Sequence, residues 1–398
     1  MLTNALGFYK QAYQGLSRYS WYLSLVMLVN RTGTMVMPFM SIYCINKLHF
    51  TIVQAGLVMT MFGVGAMAGV ITGGKINSKI GFYYLQIASL LCGGLLFIVL
   101  SFQYTFISVC VTTFLLSLFN EAFRPANSTA IAHFSAGENR ARSYSLNRLA
   151  VNLGWAAGGA LGGFLASVNY SFLFWADGIT NILAALLLLQ LIPKPDAATI
   201  AQLKKKAVSS FAAYKDLVFV VFTILSTFFS ICFFLFIIMQ PLFYKVTWHF
   251  NEVGIGALLA FNGLLIVLFE MVLVHALERR NKQLVCIIAG VIFAGLGYGL
   301  FNLLPAGYAS AIVIIILVSL GEMLGMPFMN TFWISRANDS TRGSYVALYS
   351  LSWTAAQIIA PIFGSFLISY GGFDLLWWML CAISFCTAAG FAVVRAKS

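Results

Sequence analysis

Arg31, Glu121, Arg124, Asp177, Glu270 and Glu322 each lie inside a stretch of chain that is otherwise strongly apolar. In hydrocarbon an ionisable side chain costs roughly 2.5–3.5 kcal/mol on insertion scales, so each of these is a functional candidate. Two kinds of chemistry are open to such a group: carrying a proton, or meeting a charged solute in a wet cleft. Glu322 has no basic residue within a helical turn, which makes it the leading proton-exchanging carboxyl; otherwise it is a protonated group bonded to a neighbouring helix. Glu270 is the second proton candidate, unless it pairs with Arg279-Arg280, and Glu121 is the third. Glu121 and Arg124 are three residues apart on one helix face, so they either form a locking ion pair or face a cleft together. Arg31 is either capped by Asn30 or Asn120, or left to receive an anionic group. Asn30, Arg31, Asn120, Arg124, Gln240 and Asn262 make up the expected substrate-binding set, and Asp177 reads as a gating or capping residue.

These residues must be positioned by membrane-spanning helices. The chain has 398 residues, 61% hydrophobic and only 9% charged, with mean hydropathy +0.91. A soluble domain carries about 25% charged residues, so a water-soluble enzyme, a disordered chain and a coiled coil are excluded. No Asp, Glu, Lys or Arg occurs in 80–120, 149–176, 217–244, 283–321, 343–373 or 375–394. A helix needs about 20 apolar residues to cross a hydrocarbon core of about 30 Å, so the longest of these gaps hold more than one crossing. The pattern predicts twelve spans, starting near Trp21, Gln54, Tyr83, Thr105, Tyr144, Phe172, Leu217, Gly254, Leu284, Tyr308, Tyr345 and Asp374. Each must be a helix, because lipid offers no water to satisfy open backbone groups.

The charges also orient the spans. Of 23 Lys and Arg, three (Arg31, Arg124, Arg148) fall within or beside spans; 18 of the other 20 fall at the termini and even-to-odd loops, against Lys47 and Lys245 on the opposite side. The positive-inside rule then places both termini in the cytoplasm of a multi-pass protein in the inner (plasma) membrane. The seven cysteines lie in apolar runs without metal-ligand spacing, and there is no phosphate-binding loop, HExxH or CxxC. No metal or other cofactor is expected, and the scattered +12 charge fits a bilayer surface rather than nucleic acid.

A polar stretch rich in Lys and Pro divides the spans six and six. The reading is an interfacial segment 1–20, a bundle 21–192, a cytoplasmic linker 193–216 containing Lys204-Lys205-Lys206, a second bundle 217–394 and a tail 395–398. A shift of 202 residues lays 117–175 on 319–377 without a gap, with thirteen of 59 positions identical, among them Pro125/Pro327, Thr129/Thr331 and Gly162/Gly364. Gly154, Gly158 and Gly162 line one face of span 5 and allow close approach of a neighbouring backbone, as a static seam or a moving one. Met37, Pro38, Phe39 and Met40, with Gln240-Pro241, supply a soft wall for apolar ligands or an ordinary core.

Two segments carry a family resemblance. Gly74-Lys75-Ile76-Asn77-Ser78-Lys79-Ile80-Gly81 resembles the loop 2–3 signature G-x-x-x-D-R/K-x-G-R-R/K of the major facilitator superfamily, with Ser78 in place of the acidic residue and Phe82-Tyr83 in place of the basic pair. Gly154-Trp155-Ala156-Ala157-Gly158-Gly159-Ala160-Leu161-Gly162-Gly163 resembles its antiporter signature G-x-x-x-G-P-x-x-G-G, with Gly159 in the proline place and Pro361 opposite it in the second half. The resemblance implies an all-α integral membrane fold, twelve transmembrane helices in two six-helix pseudo-repeats around a central cavity lined by spans 1, 4, 7 and 10. It also implies gating roles for Lys79, Gly154, Gly158, Gly162, Asp177 and Pro361. The expected function is monomeric secondary transport by alternating access, with protons and a small molecule as partners: drug–proton efflux, or else import of an anionic metabolite or siderophore. A transport-dead receptor or scaffold is a third reading.

Overall fold

The computed structural model describes residues 15–135, 139–195, 212–278, 282–337 and 341–397; side chains at 78, 140, 141, 212, 278, 342, 343 and 397 are outside the description. Most of the interfacial segment, the Lys204-Lys205-Lys206 run, Arg279-Arg280 and Ser398 therefore lie outside the described residues. The described chain is helical: α1 (Arg18–Thr32), α2 (Val36–Asn46), α3 (Ile52–Ile80), α4 (Phe82–Leu100), α5 (Phe106–Phe134), α6 (Arg140–Val168), α7 (Ser171–Leu191), α8 (Ala212–Lys215), α9 (Leu217–Val246), α10 (Glu252–Glu278), α11 (Gln283–Leu303), α12 (Tyr308–Arg336) and α13 (Arg342–Lys397).

Among the described residues, eleven stretches are long and apolar enough to cross a membrane. The last, 53 residues long, is broken at Gly371 and Gly372, so it supplies two crossings and the total is twelve. Gly372 has φ +71°, a left-handed conformation that suits glycine and reverses the chain between the two segments of α13. The expected span starts agree with the observed helix starts to within a few residues. One expectation of continuity fails: the first crossing is two helices, α1 and α2, interrupted at 33–35.

Start signals are local. Ser17 caps α1 through Ser20 N–H, Thr105 caps α5 through Ser108 N–H, and Asp216 caps α9 through Phe219 N–H. The ends of α2 and α9 repeat one another: His49 and His249 both have φ +56°, and the bonds Leu48 N–H to Tyr43 O and Phe50 N–H to Cys44 O recur as Trp248 to Phe243 and Phe250 to Tyr244.

The helices pack as two compact units, Met1–Val36 with Val64–Lys206, and Met37–Gly63 with Ala207–Ser398. The first has a core of Leu23, Phe82, Tyr83, Phe123, Ala184 and Leu188. The second buries Phe219, Phe222, Ile287, Met329, Phe332 and Phe391. Ile107, Phe164 and Phe366 remain exposed, as side chains bathed by lipid tails would be.

Candidate functional site

In the first unit the interruption between α1 and α2 organises the polar groups. Gly33 has no room for a side chain, because a Cβ there would run into Thr180 Oγ1 of α7. The open start of α2 is closed by Asp177 of α7, which is fully buried: Oδ1 accepts from Met35 N–H at 3.0 Å and Oδ2 from Val36 N–H at 2.9 Å. A carboxylate at a helix N-terminus satisfies orphan donors and meets the positive end of the dipole. One turn on, Asn181 donates to Asp177 O at 2.8 Å and accepts from Asn30 Nδ2 at 2.9 Å. Asn30 is thus buried in the α1–α7 contact, tied to Asn181.

Arg31 sits in the last turn of α1, where a cation favours the helix C-terminus. Its Nε is buried and without a hydrogen-bond partner. The antiporter-like glycines of α6 pack directly on it: a Cβ at Gly154 would stand 2.5 Å from Arg31 Cβ, and one at Gly158 3.0 Å from Thr32 O. Glu121 and Arg124 of α5 form an ion pair of 3.1 Å, with Arg124 63% exposed and Glu121 12%. Both lie within electrostatic reach of Arg31. Asn120 instead faces α4, its Oδ1 2.7 Å from where a Cβ of Gly93 would be. Gly162 is buried, and Lys79 is exposed in the last turn of α3.

The second unit holds a different arrangement. Glu270 of α10 and Glu322 of α12 are 7% and 8% exposed and interact electrostatically. Asn262 of α10 lies beside Glu322 and donates to Ser319 Oγ at 2.8 Å, one turn before Glu322 on α12. Tyr298 of α11, buried, lies within the field of Glu322. Two buried carboxyls thus share one region of the second unit, with an amide and a hydroxyl beside Glu322. Gln240 bonds within its own helix, donating to Tyr244 Oη at 3.0 Å, and Pro361 O lies 2.9 Å from where a Cβ of Gly56 would stand.

Sequence reasoning overlooked Ser319, Tyr298, and the cluster around Asp216. Asp216 caps α9, accepts from Arg336 Nε and Nη2 at 2.8 and 3.0 Å, and accepts from Tyr345 Oη at 2.9 Å. Partial burial pushes its carboxyl up, but the bonds from Arg336, Phe219 N–H and Tyr345 outweigh that and hold it below 3.8. The break in span 1 did leave a trace, Thr32-Gly33-Thr34 ahead of Pro38, residues poor at continuing a helix.

Comparison with known proteins follows the same lines. The family model for the Major Facilitator Superfamily matches residues 23–356. The MFS-type transporter YttB of Bacillus subtilis (strain 168) is 24% identical over 88% of this chain and 88% of its own. The class C tetracycline resistance protein of Escherichia coli is 27% identical over 61% and 63%, and the quinolone resistance protein NorA of Staphylococcus aureus (strain MRSA252) 22% over 82% and 84%. Among solved structures, a POT family transporter in complex with a thioalcohol-conjugated peptide superposes with TM-score 0.82 at 15% identity, covering 98% of each chain. The nucleoside transporter NupG superposes with TM-score 0.81 at 12% identity, covering 95% of this chain and 100% of its own. At such identities the structural likeness speaks to the fold.

Proposed function

The chain belongs to the major facilitator superfamily, whose members are transporters and not enzymes, and on that premise we propose that it exports amphipathic small molecules by proton-coupled alternating access. The observation that carries this reading is that Glu270 and Glu322, both buried, interact electrostatically, with Asn262 and Ser319 beside Glu322. Two like charges in a poor dielectric repel, so a change in the charge of either carboxyl acts on the other. Protonation and release at Glu322, with Glu270 as its partner, would tie proton movement to a change between two packings of α10 on α12. In this reading Asn262 orients Glu322, while Glu121, screened by Arg124, plays the smaller part.

Export is supported by the relatives named for tetracycline and quinolone resistance. We place both termini in the cytoplasm and the monomer in the inner membrane, with bundles 21–192 and 217–394 as the moving halves. Gly154 and Gly158 against Arg31 and Thr32 form the close seam along which α6 would shift, and Asp177, Gly162, Pro361 and Lys79 complete the gating set. Arg31, Asn30, Asn120, Arg124, Gln240 and Asn262 remain the substrate-binding proposal. One observation favours a second reading, import of an anionic metabolite: the buried Arg31 Nε has no partner, as a guanidinium awaiting a carboxylate or phosphate would.

The test uses the full chain in proteoliposomes with an imposed pH gradient. Export by antiport moves protons against the flow of a cationic amphipathic dye, import moves an anion with them, and a receptor or scaffold moves neither. Glu322→Gln is expected to reduce pH-driven flux to that of protein-free liposomes while dye binding persists. Full pH-driven flux in that variant would overturn the proton assignment.

A further inference from the structure

At the membrane-surface end of the second unit, where α11 starts and α12 and α13 finish, lies a cavity of about 520 Å³. Its lining includes Lys282, Leu284, Val285, Phe332, Arg336 and Arg395. Three cations thus meet an apolar floor, and no described lining residue is acidic. Lys282 and Arg395 are exposed at the mouth. Arg336 is anchored from outside the cavity by Asp216, and its guanidinium lies 5.7 Å from the Phe332 ring centroid. Asp216 uses two of the five guanidinium N–H groups, so the others stay available to a second acceptor.

The place matters as much as the charge. These residues close the ends of apolar helices, the depth at which lipid phosphates sit and acyl chains begin. A hollow also recurs at the same level of the first unit, about 450 Å³ in volume, lined by Arg18, Tyr19, Tyr22, Tyr83 and Lys194. Tyr83 and Val285 coincide under the 202-residue shift, so each repeat leaves a gap beside the start of its third crossing. In the first unit Arg18 is turned onto Tyr19, donating to its Oη at 2.9 Å with the guanidinium 4.9 Å from the ring centroid. The second-unit cavity is the more basic of the two.

We propose that the Lys282–Arg336–Arg395 cavity binds the phosphate headgroup of an anionic phospholipid, its glycerol and first acyl carbons resting on Leu284, Val285 and Phe332. Basic pockets between transmembrane helices at a charged leaflet bind such headgroups through the same donors. Occupancy would bridge α11, α12 and α13, so lipid composition would tune the stability of the second unit. This stands apart from the transport reading, since neither Glu270 nor Glu322 lines the cavity.

The test takes the purified full-length chain in a neutral detergent and titrates phosphatidylglycerol, phosphatidylcholine and inorganic phosphate separately. Retained lipid is counted by native mass spectrometry, and the unfolding midpoint is followed in parallel. Phosphatidylglycerol should be retained and raise the midpoint, phosphatidylcholine and phosphate should not, and Lys282→Gln with Arg395→Gln should weaken retention roughly tenfold or more. That double variant leaves the Asp216–Arg336 pair intact, so its midpoint without lipid should match the parent chain. Equal retention by the double variant, or equal retention of phosphatidylcholine, would overturn the proposal. Stabilisation by inorganic phosphate at the same concentration would overturn the lipid assignment in favour of a soluble anion.

Discussion

Where α5 of the first unit carries Asn120, Glu121 and Arg124, α12 of the second carries Glu322, Met323 and Met326. The backbone beneath is the same in both. Pro125 and Pro327 lie inside their helices, and Thr129 and Thr331 each donate to the proline carbonyl, at 2.8 and 3.0 Å. The polar chemistry has diverged on that shared frame. In the first unit the carboxylates have stabilising partners, Arg124 for Glu121 and helix N–H groups for Asp177. In the second, Glu322 lies beside the Asn262 amide and within the field of the Glu270 carboxyl. An ion pair fixes a geometry, whereas a carboxyl among neutral partners can exchange a proton without breaking one. The comparison sets bonded carboxyls in the first unit against two interacting carboxyls in the second.

The surface junction repeats the contrast in milder form. In the first unit, Ser17 Oγ donates to Phe134 O at 2.8 Å and Ser20 Oγ lies 2.9 Å from Ser143 Oγ. Under the 202-residue shift Phe134 and Ser143 become Arg336 and Tyr345, both bound to Asp216. Hydroxyls join one unit and a charge joins the other.

If the first unit is braced by its carboxylates, Asp177→Ala should do the most damage. It removes two hydrogen bonds and strands two N–H groups in a buried helix start, a loss of about 3 kcal/mol or more. Thermal unfolding in detergent reads this, and a change under about 1 kcal/mol would break the comparison. Gly154→Val should follow at about 1–3 kcal/mol, because its Cβ would meet Arg31 and α1 cannot retreat without moving Asn30 from Asn181. Gly74→Ala in α3 has open space around it and should be neutral or slightly stabilising, through helix propensity alone.

Two further variants separate the junctions by pH. The Asp216 carboxyl has a native pKa below 3.8, so its contribution is complete above the unfolded value of about 3.9. It is then lost as pH falls through the native value. Asp216→Asn should cost about 1–2 kcal/mol at pH 7 and nearly nothing at the acid end. Ser17→Ala should cost about 1 kcal/mol, and that cost should not change with pH. Parallel pH dependence in the two variants would erase the distinction.

Much of the architecture was legible because lipid leaves few choices. Charge-free runs had to be helices, while the break at Gly371 and Gly372 is seen only in the structure. The glycine run of α6 announced a close contact, though not that Arg31 was its object. Arg31, Glu121 and Arg124 were grouped by resemblance, and the Glu121–Arg124 pair by spacing. Partners distant in sequence could not be read this way: Asn262 and Ser319 are 57 residues apart, Asn30 and Asn181 151, and Asp177 and Met35 142. No periodicity encodes such pairings.

The amino-acid order by itself determined that this chain crosses a membrane about a dozen times as two related halves, since hydrophobic length and charge position are properties of the unfolded string. Only tertiary packing decided which partner each buried polar group meets. That depends on what a neighbouring helix brings within about 3 Å, a distance at which one turn of rotation exchanges a guanidinium for an amide.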